Sequence, residues 1–252
     1  MDEITISPYL LAAIFFLVAL AYSSTGLGGG STYTALLAIF GVSYLLIPSI
    51  ALILNVLVTA VGSFNFIRKG YGRAGLILPF IVTSMPMAYL GGSLSLRSDV
   101  FYWILLVTLI ISAARIYLFE RISIRLTTGR NQQIAISLLT GSVLGFVAGT
   151  VGIGGGIYLV PLILLLGLGT EQEAAATSAV FVLINSVTGL VARTRYHEID
   201  LASIAPLIVA VIIGGIWGSL LGSGRLSSVT LDRILGVIIL IAIGILARRI
   251  WG

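Results

Sequence analysis

The chain contains the same glycine-rich motif twice, each time after a long apolar segment. Residues 24–30 read Ser-Thr-Gly-Leu-Gly-Gly-Gly, and residues 150–156 read Thr-Val-Gly-Ile-Gly-Gly-Gly. The first glycines, Gly26 and Gly152, are 152 − 26 = 126 residues apart in a chain of 252. Inside a membrane, such non-helical backbone is tolerated only where it is buried in protein or lines a cavity. A duplicated break of this kind indicates a transporter binding site between two homologous halves.

The composition is that of an integral membrane protein. Hydrophobic residues make up 58% of the chain and charged residues 9%, and the mean hydropathy is +1.15, whereas soluble domains carry about 25% charged residues. A spanning helix needs roughly 20 apolar residues, so the chain has room for about eight crossings and no separate soluble domain. The net charge of +5 is scattered, which favours loop charges that orient helices over a nucleic-acid surface.

The apolar segments occur in the same order in two copies. We predict an all-α membrane domain of two repeat halves, 1–125 and 126–252. The predicted segments are 8–25, 31–40, 47–67, 75–95 and 100–119 in the first half, and 134–150, 157–167, 174–194, 201–221 and 230–249 in the second. Matching residues at nearly constant offsets support the duplication: Gly41 with Gly167, Asn55 with Asn185, Pro79 with Pro206, and Gly91 with Gly218.

Two segments, 31–40 and 157–167, are too short to cross a bilayer as helices. Ten helical residues rise about 15 Å, half of the hydrocarbon thickness. We therefore expect each to be a glycine-initiated half-membrane or re-entrant helix, which leaves four long spans per half, eight crossings, and parallel repeats. If the short segments do cross, the count becomes ten and the repeats are inverted.

The distribution of basic residues favours eight crossings. That arrangement leaves Arg97, Arg225 and Arg233 on one side, together with Glu171 and Glu173. The other side then carries Arg68, Lys69, Arg73, Arg121, Arg125, Arg130, Arg193, Arg195, Arg248 and Arg249. The positive-inside rule makes the richer side cytoplasmic. We expect a multi-pass protein of the cell membrane with both termini in the cytoplasm.

The helix starts after the glycine motifs are candidate anion sites. A helix that begins after three glycines presents N–H groups without acceptors and the positive end of its dipole, and the absent side chains let a ligand approach closely. Gly28, Gly29 and Gly30, with Gly154, Gly155 and Gly156, can thus hold a small oxyanion near the midplane without a buried lysine or arginine. The alternative is that the glycines only permit tight helix packing. Their occurrence at matching positions favours the site.

Polar residues inside the apolar spans extend this candidate site. Asn55 and Asn185 occupy corresponding places, and each amide needs a partner because an unpaired amide in hydrocarbon is costly. A helix–helix hydrogen bond, a tie to the glycine loop and a direct ligand contact all meet that need. Thr59, Thr177 and Ser178 add hydroxyl groups, although hydroxyls of this kind commonly bond back to their own helix.

An enzyme is not expected. The predicted spans contain no Asp, Glu, His or Cys at metal-ligand or catalytic spacing, and the chain has no phosphate-binding Gly-Lys-Ser or Gly-Lys-Thr sequence. Cysteine is absent, and the only histidine, His197, is predicted at a helix end. We therefore expect no catalytic residue, metal or cofactor.

Taken together, the motifs resemble the TauE/SafE sulfite exporter family, also called the TSUP permeases. The resemblance covers nearly the whole chain and depends on the doubled Gly-x-Gly-Gly-Gly, on Asn55 and Asn185, and on the sequence Ala-Thr-Ser-Ala at 176–179. It implies a carrier of two homologous halves that moves sulfite, organosulfonates or related anions, with the six glycines shaping the site and both asparagines beside it. In the first half, Ile-Pro-Ser at 47–49 stands where Ala-Thr-Ser stands at 176–178, so the hydroxyl groups are not assigned symmetrically.

The expected function is a secondary carrier that works by movement of one half against the other, with export as the default direction. Its expected partners are a small sulfur oxyanion or sulfonate and the lipid bilayer, and a homo-oligomer is left open. An anion channel that uses the same glycines, and a membrane scaffold that does not transport, are the alternatives. The sequence does not fix the substrate, the direction or the coupling ion.

Overall fold

The computed structural model describes residues 8–24, 27–118, 129–194, 200–221 and 228–251. These residues form helices joined by short connections, and the described part contains no strand. The helices are α1 (Pro8–Ser24), α2 (Gly30–Ile39), α3 (Ile47–Arg68), α4 (Ala74–Ser93), α5 (Ser98–Leu118), α6 (Arg130–Val151), α7 (Gly156–Leu165), α8 (Glu171–Arg193), α9 (Leu201–Leu221) and α10 (Ser228–Trp251).

Each predicted segment corresponds to one of these helices, which confirms the all-α polytopic fold. Six of the described helices, α3, α4, α5, α6, α8 and α9, are long and apolar enough to span a membrane. The short helices α2 and α7 have ten residues each and follow the two glycine motifs. The predicted boundary between the halves, 125/126, lies outside the described residues, so the two halves stay a prediction.

Glycines spaced four residues apart bring two pairs of helices into close contact. On α6, three glycines lie against three carbonyl groups of α4: Gly141 on Phe80, Gly145 on Ser84 and Gly149 on Ala88. On α9, two glycines lie against α1 in the same way: Gly214 on Phe16 and Gly218 on Leu20. A Cβ atom at any of these glycines would lie 2.1–2.4 Å from the carbonyl oxygen, so only glycine permits this approach. Because residue numbers rise together in both pairs, α4 runs parallel to α6 and α1 runs parallel to α9.

Contacts at the centre of the bundle show that α3 and α8 run in opposite directions. Gly62 of α3 lies beside Ala179 of α8, and Leu52 lies beside Gly189, so the numbers rise along one helix as they fall along the other. Helix α8 runs parallel to α4, because Arg73 pairs with Glu173 at one end and Gly92 lies against Ala192 at the other.

Helix α3 runs parallel to α9 and therefore also to α1. Val58 lies beside Gly215, and Asn65 donates a hydrogen bond to Ser219 further along the same pair. Since α1 and α3 run in the same direction, the chain must return across the bundle between them, through the segment that contains α2. By the same argument the chain returns through α7 between the parallel helices α6 and α8.

These helix directions do not fit the preferred arrangement of eight crossings with parallel repeats, and they fit the alternative, ten crossings with inverted repeats. Gly28 lies beside Asn55 and Thr59, near the middle of α3, and α2 leads from that level back to the start of α3. The non-helical glycine stretch covers the other half of the crossing. Counting helix length alone left out the glycine residues that precede each short helix and belong to the same crossing.

The inverted order changes which charges lie together. We call the end of the bundle that contains the Arg73–Glu173 ion pair end B, and the opposite end, which contains Arg193, end A. The described basic residues at end B are Arg68, Lys69, Arg73, Arg115, Arg130 and Arg233, and those at end A are Arg97, Arg193, Arg248 and Arg249. The expected separation of Glu171 and Glu173 from Arg73 is wrong, as is the grouping of Arg193, Arg248 and Arg249 with Arg68. Arg121, Arg125, Arg195 and Arg225 lie outside the described residues.

The helices form two groups that mix the predicted halves. Group I consists of the parallel helices α1, α3 and α9, and group II consists of the parallel helices α4, α6 and α8. The groups meet where α3 crosses α8.

Helices α5 and α10 belong to neither group and pack antiparallel to each other. The Arg249 guanidinium lies 4.4 Å from the centre of the Tyr102 ring, and the Tyr117 hydroxyl donates a hydrogen bond to the Arg233 carbonyl.

Labelling of single cysteines tests the inverted order, and the cysteine-free chain is the natural background. In sealed, oriented vesicles, an impermeant maleimide added to one side should label both Lys69→Cys and Glu171→Cys, because both positions lie exposed at end B. Ser95→Cys, exposed at end A, should be labelled only from the opposite side. Labelling of Lys69→Cys and Glu171→Cys from opposite sides would restore the arrangement with eight crossings.

Candidate functional site

The two glycine motifs meet between α3 and α8. A Cβ atom on Gly30 would lie 2.5 Å from the Ile153 carbonyl oxygen, and one on Gly156 would lie 3.7 Å from the Gly28 nitrogen. The starts of α2 and α7 thus face each other across the centre of the bundle. We call this meeting point, formed by residues 27–30 and 152–156, the glycine crossing.

The two copies of the motif need glycine for different reasons. Gly152, Gly154 and Gly155 have φ angles of 81°, 74° and 82°, a left-handed conformation that side chains disfavour. Positive φ angles are not found at Gly28, Gly29 or Gly30. In the first copy, glycine is required only because neighbouring atoms leave no room for a side chain.

Backbone N–H groups at the glycine crossing lack acceptors. Within the described part of the chain, the N–H groups of Gly28, Gly29, Gly30, Gly154 and Gly156 donate no hydrogen bond, whereas that of Gly155 donates to the Ile153 carbonyl at 2.9 Å. All of these residues are buried. Buried N–H groups are nearly always paired, and two helix N-termini add positive potential at this point. The crossing therefore offers several neutral donors to an acceptor-rich ligand.

The Ser178 hydroxyl is directed towards the same point. Its Oγ atom would lie 2.5 Å from a Cβ atom on Gly156. The side chain is fully buried, and its hydroxyl has no hydrogen-bond partner among the described residues. Ser178 therefore supplies a further donor beside the α7 start.

Asn55 ties the crossing together. Its Nδ2 donates to the Gly152 carbonyl oxygen at 3.1 Å, so the amide holds the second glycine motif from a helix of the predicted first half. Its Oδ1 lies 3.3 Å from the Cβ position of Gly28 and accepts no hydrogen bond from any described residue. The Asn55 amide nitrogen is thus occupied by the bond to Gly152, and the amide oxygen can accept a hydrogen bond from another donor.

Asn185 does not repeat that tie. The side chain is fully buried, and neither its Nδ2 nor its Oδ1 has a partner among the described residues. Asn185 lies on α8 between its two contacts with α3, those of Ala179 with Gly62 and of Gly189 with Leu52. This unpaired amide lies at the helix crossing without a hydrogen bond to either glycine motif.

The other predicted site residues do not direct a free polar side-chain group towards the contact between the two glycine motifs. Thr59 and Thr177 donate to the carbonyls of Asn55 and Glu173, at 2.6 and 2.8 Å, so both hydroxyls bond back to their own helices. Thr59 reaches the Gly28 position only with its methyl group, at 3.2 Å. A Cβ atom on Gly29 would meet the Tyr33 ring and one on Gly155 would meet Phe181, so these two glycines border side chains rather than the opposite motif.

Two residues at the crossing were missing from the sequence prediction. The methyl groups of Val182 lie 2.6 and 2.9 Å from the Cβ positions of Gly28 and Gly154. Val182 lies four residues after Ser178 and hence on the same face of α8, a signal the sequence does carry. Tyr33 is buried against Phe15, with ring centres 5.3 Å apart, and its hydroxyl has no partner among the described residues.

No group of three or more His, Cys, Asp or Glu side chains that could hold a metal ion occurs within the described residues. His197 lies outside them.

Comparison with known proteins identifies relatives over nearly the full length. The sequence model of the family described as "Sulfite exporter TauE/SafE" matches residues 11–247. A Sinorhizobium fredii protein described as "Probable membrane transporter protein y4hK" is 36% identical over 235 residues, 92% of this chain and 95% of that protein. The Bacillus subtilis "Probable membrane transporter protein YunE" is 27% identical over 109 residues, 43% of this chain and 40% of that protein. No solved structure gives a significant match.

The unpaired Ser178 hydroxyl should make the ligand-free protein less stable. Ser178→Ala removes a buried polar atom without breaking a hydrogen bond, so the free energy of unfolding should rise by about 1 kcal/mol. Thr177→Ala, which removes the neighbouring but bonded hydroxyl, should not raise it. Thermal unfolding of the two purified variants in detergent measures the difference. A loss of stability in Ser178→Ala would show that the hydroxyl is already paired.

Proposed function

Since the chain belongs to the TauE/SafE sulfite exporter family, we propose that it is a secondary membrane transporter for small sulfur-containing anions such as sulfite or organosulfonates. The family membership makes it a membrane transporter. The observation that carries the rest is the set of buried, unpaired N–H groups at the glycine crossing, together with the Ser178 hydroxyl.

The chemistry of these donors fits an oxyanion that has to be released again. Sulfite and sulfonates present three oxygen atoms that share negative charge, and each oxygen accepts hydrogen bonds. The glycine N–H groups supply donors from two helix ends, as in other anion sites. In the described contacts no lysine or arginine side chain lies against these glycines. Binding by neutral donors is weak enough for a transported ion to leave.

The donors at the glycine crossing and the family membership support different properties of the substrate. The donors favour a small anion with several acceptor oxygens and do not distinguish sulfur from other central atoms. The family name supplies sulfite, and export is proposed as the direction for the same reason. The methyl groups of Val182, next to the Gly28 and Gly154 positions, provide an apolar neighbour for the carbon substituent of a sulfonate.

The glycine crossing is closed in this structure, so we propose that transport separates its two sides. Gly30 and Ile153 are in direct backbone contact, and an anion between them requires the loops to move apart. Movement of 1–125 against 126–252, as expected from the repeats, does not fit the packing, because α1 is packed on α9 and α6 on α4. We propose instead that group I moves against group II, with the contact between α3 and α8 as the surface that changes.

The charges of the two ends support an orientation opposite to the expected one. Six described basic residues lie at end B and four at end A. Under the positive-inside rule we propose that end B faces the cytoplasm of a cell with this protein in its plasma membrane. The start of α1 and the end of α10 then face away from the cytoplasm.

Two adjacent hydroxyls on α8 provide the test of the site. In proteoliposomes with a sulfite gradient, Ser178→Ala should raise the KM for sulfite on the order of tenfold or more, because a hydrogen bond to a charged ligand contributes about 1.5–3 kcal/mol and 1.4 kcal/mol corresponds to a factor of ten. Thr177→Ala, whose hydroxyl is bonded to the Glu173 carbonyl, should leave the KM within about twofold of wild type.

Equal effects of the two substitutions on the KM would show that the Ser178 hydroxyl does not bind the anion. If the wild-type protein moves neither sulfite nor any alkanesulfonate, with or without a pH gradient, the proposed substrate class is wrong.

A disulfide between the two helix groups tests the proposed movement. The Cβ position of Gly62 lies 3.9 Å from the Cβ of Ala179, within the 3.5–4.5 Å range of disulfides, and the chain contains no competing cysteine. Oxidised Gly62→Cys/Ala179→Cys should lose sulfite flux, and a reductant should restore it. Each single cysteine variant, treated with the same oxidant, serves as the control. Full flux in a quantitatively cross-linked sample would show that α3 and α8 need not separate.

A further inference from the structure

Arg193 is a half-buried cation close to the glycine crossing that the proposed site does not use. It lies in the last turn of α8, where its Nε and Nη2 donate to the Gly149 carbonyl at 3.2 and 3.1 Å, and Nη2 also donates to the Thr150 carbonyl. These carbonyls belong to the last turn of α6, directly before the second glycine motif. The guanidinium therefore caps the negative end of the α6 dipole.

The cap leaves part of the guanidinium unused. Arginine has five N–H donors, and the described hydrogen bonds involve Nε and Nη2 but not Nη1. The two ion pairs found among the described residues are Arg73–Glu173 and Arg97–Asp99, so no described carboxylate neutralises Arg193. A half-buried positive charge with spare donors remains available to an anion.

A cavity connects Arg193 with end A. About 380 Å³ of space free of protein atoms, which includes open solvent at the mouth, is bordered by Tyr44, Pro48, Ser95, Phe101, Thr150 and Arg193, among other residues. Pro48 also forms part of the wall of the glycine crossing, since its Cα would lie 2.9 Å from a Cβ atom on Gly152. Pro48 therefore borders both the cavity that Arg193 lines and the glycine crossing.

The corresponding position at end B carries no charge. The offset between the two asparagines is 185 − 55 = 130, and 193 − 130 = 63 gives Ser63 as the counterpart of Arg193. Ser63 is buried, and its hydroxyl has no partner among the described residues. The two positions thus differ in charge.

We propose that Arg193 and the cavity at end A form an outer anion site, which a sulfur oxyanion occupies between the solution at end A and the glycine crossing. This proposal rests on the proposed function for the identity of the anion. A positive charge at the base of a cleft with low-dielectric walls raises the local concentration of anions, and the planar guanidinium suits oxygen pairs. Since Ser63 supplies no such charge, the outer site makes transport kinetics depend on the side from which the anion enters.

A sided flux measurement tests the role in transport. In vesicles of known orientation, Arg193→Gln should raise the KM for sulfite supplied at end A about tenfold and leave the KM from end B within about twofold. Ser178→Ala should raise both. Arg97→Gln is the matched control, because Arg97 lies at the same end with its side chain 85% exposed. A KM unchanged from end A, or raised equally from both ends, would overturn the proposal.

A second measurement does not require transport. In a Ser95→Cys background, the reaction rates with an anionic and a cationic methanethiosulfonate reagent report the electrostatic potential in the cavity. Arg193→Gln should lower the anionic-to-cationic rate ratio several-fold, and more than Arg97→Gln does. If the wild type moves no sulfur anion, the proposed function fails while a drop in this ratio still supports the outer site. An unchanged ratio overturns the outer site whatever the flux.

Discussion

The structure depends on one constraint, that every backbone polar group within a membrane needs a partner. At the two glycine motifs, where the backbone is not helical, only some of the backbone polar groups have a partner. Gly28 to Gly30 and Gly154 to Gly156 face each other where α3 crosses α8, and most of their N–H groups have no acceptor among the described residues. Asn55 pairs one of the carbonyls, that of Gly152. A ligand rich in oxygen atoms is the missing partner that would complete this arrangement, and it also explains why the donors come from both halves.

The same small residues that create the crossing also determine how the molecule can move. Glycines on α6 and α9 fit against carbonyls of α4 and α1, so the first helix of each predicted half is fixed to the fourth helix of the other. The mobile units are then the mixed groups I and II, and their shared surface is the α3–α8 contact, where the glycine crossing lies. Binding and movement therefore involve the same few residues. Arg193 places a positive charge near end A, whereas its counterpart in α3, Ser63, carries none.

Much of the fold could be predicted from the sequence because hydropathy and glycine breaks are local signals. All ten helices, including the short ones after the glycine motifs, lie close to their predicted positions. The direction of the helices could not be predicted, because helix length alone does not count the glycine residues that precede α2 and α7. The charge pattern misled for two reasons visible only in three dimensions: Glu173 pairs with Arg73, and Arg193 is a half-buried cap on α6. The sequence likewise could not separate Ser178 from Thr177, since only the rotation of α8 decides which hydroxyl bonds back to its own helix.

The most direct test of this account is the position of a bound sulfonate in a crystal structure. Bromoethanesulfonate provides an anomalous signal from bromine, which locates the ligand independently of the surrounding density. The account predicts a sulfonate group between the starts of α2 and α7, within hydrogen-bond distance of glycine N–H groups of both motifs and of Ser178 Oγ. A sulfonate bound elsewhere, or an empty glycine crossing at concentrations that saturate transport, would contradict it and leave the glycines with a packing role alone.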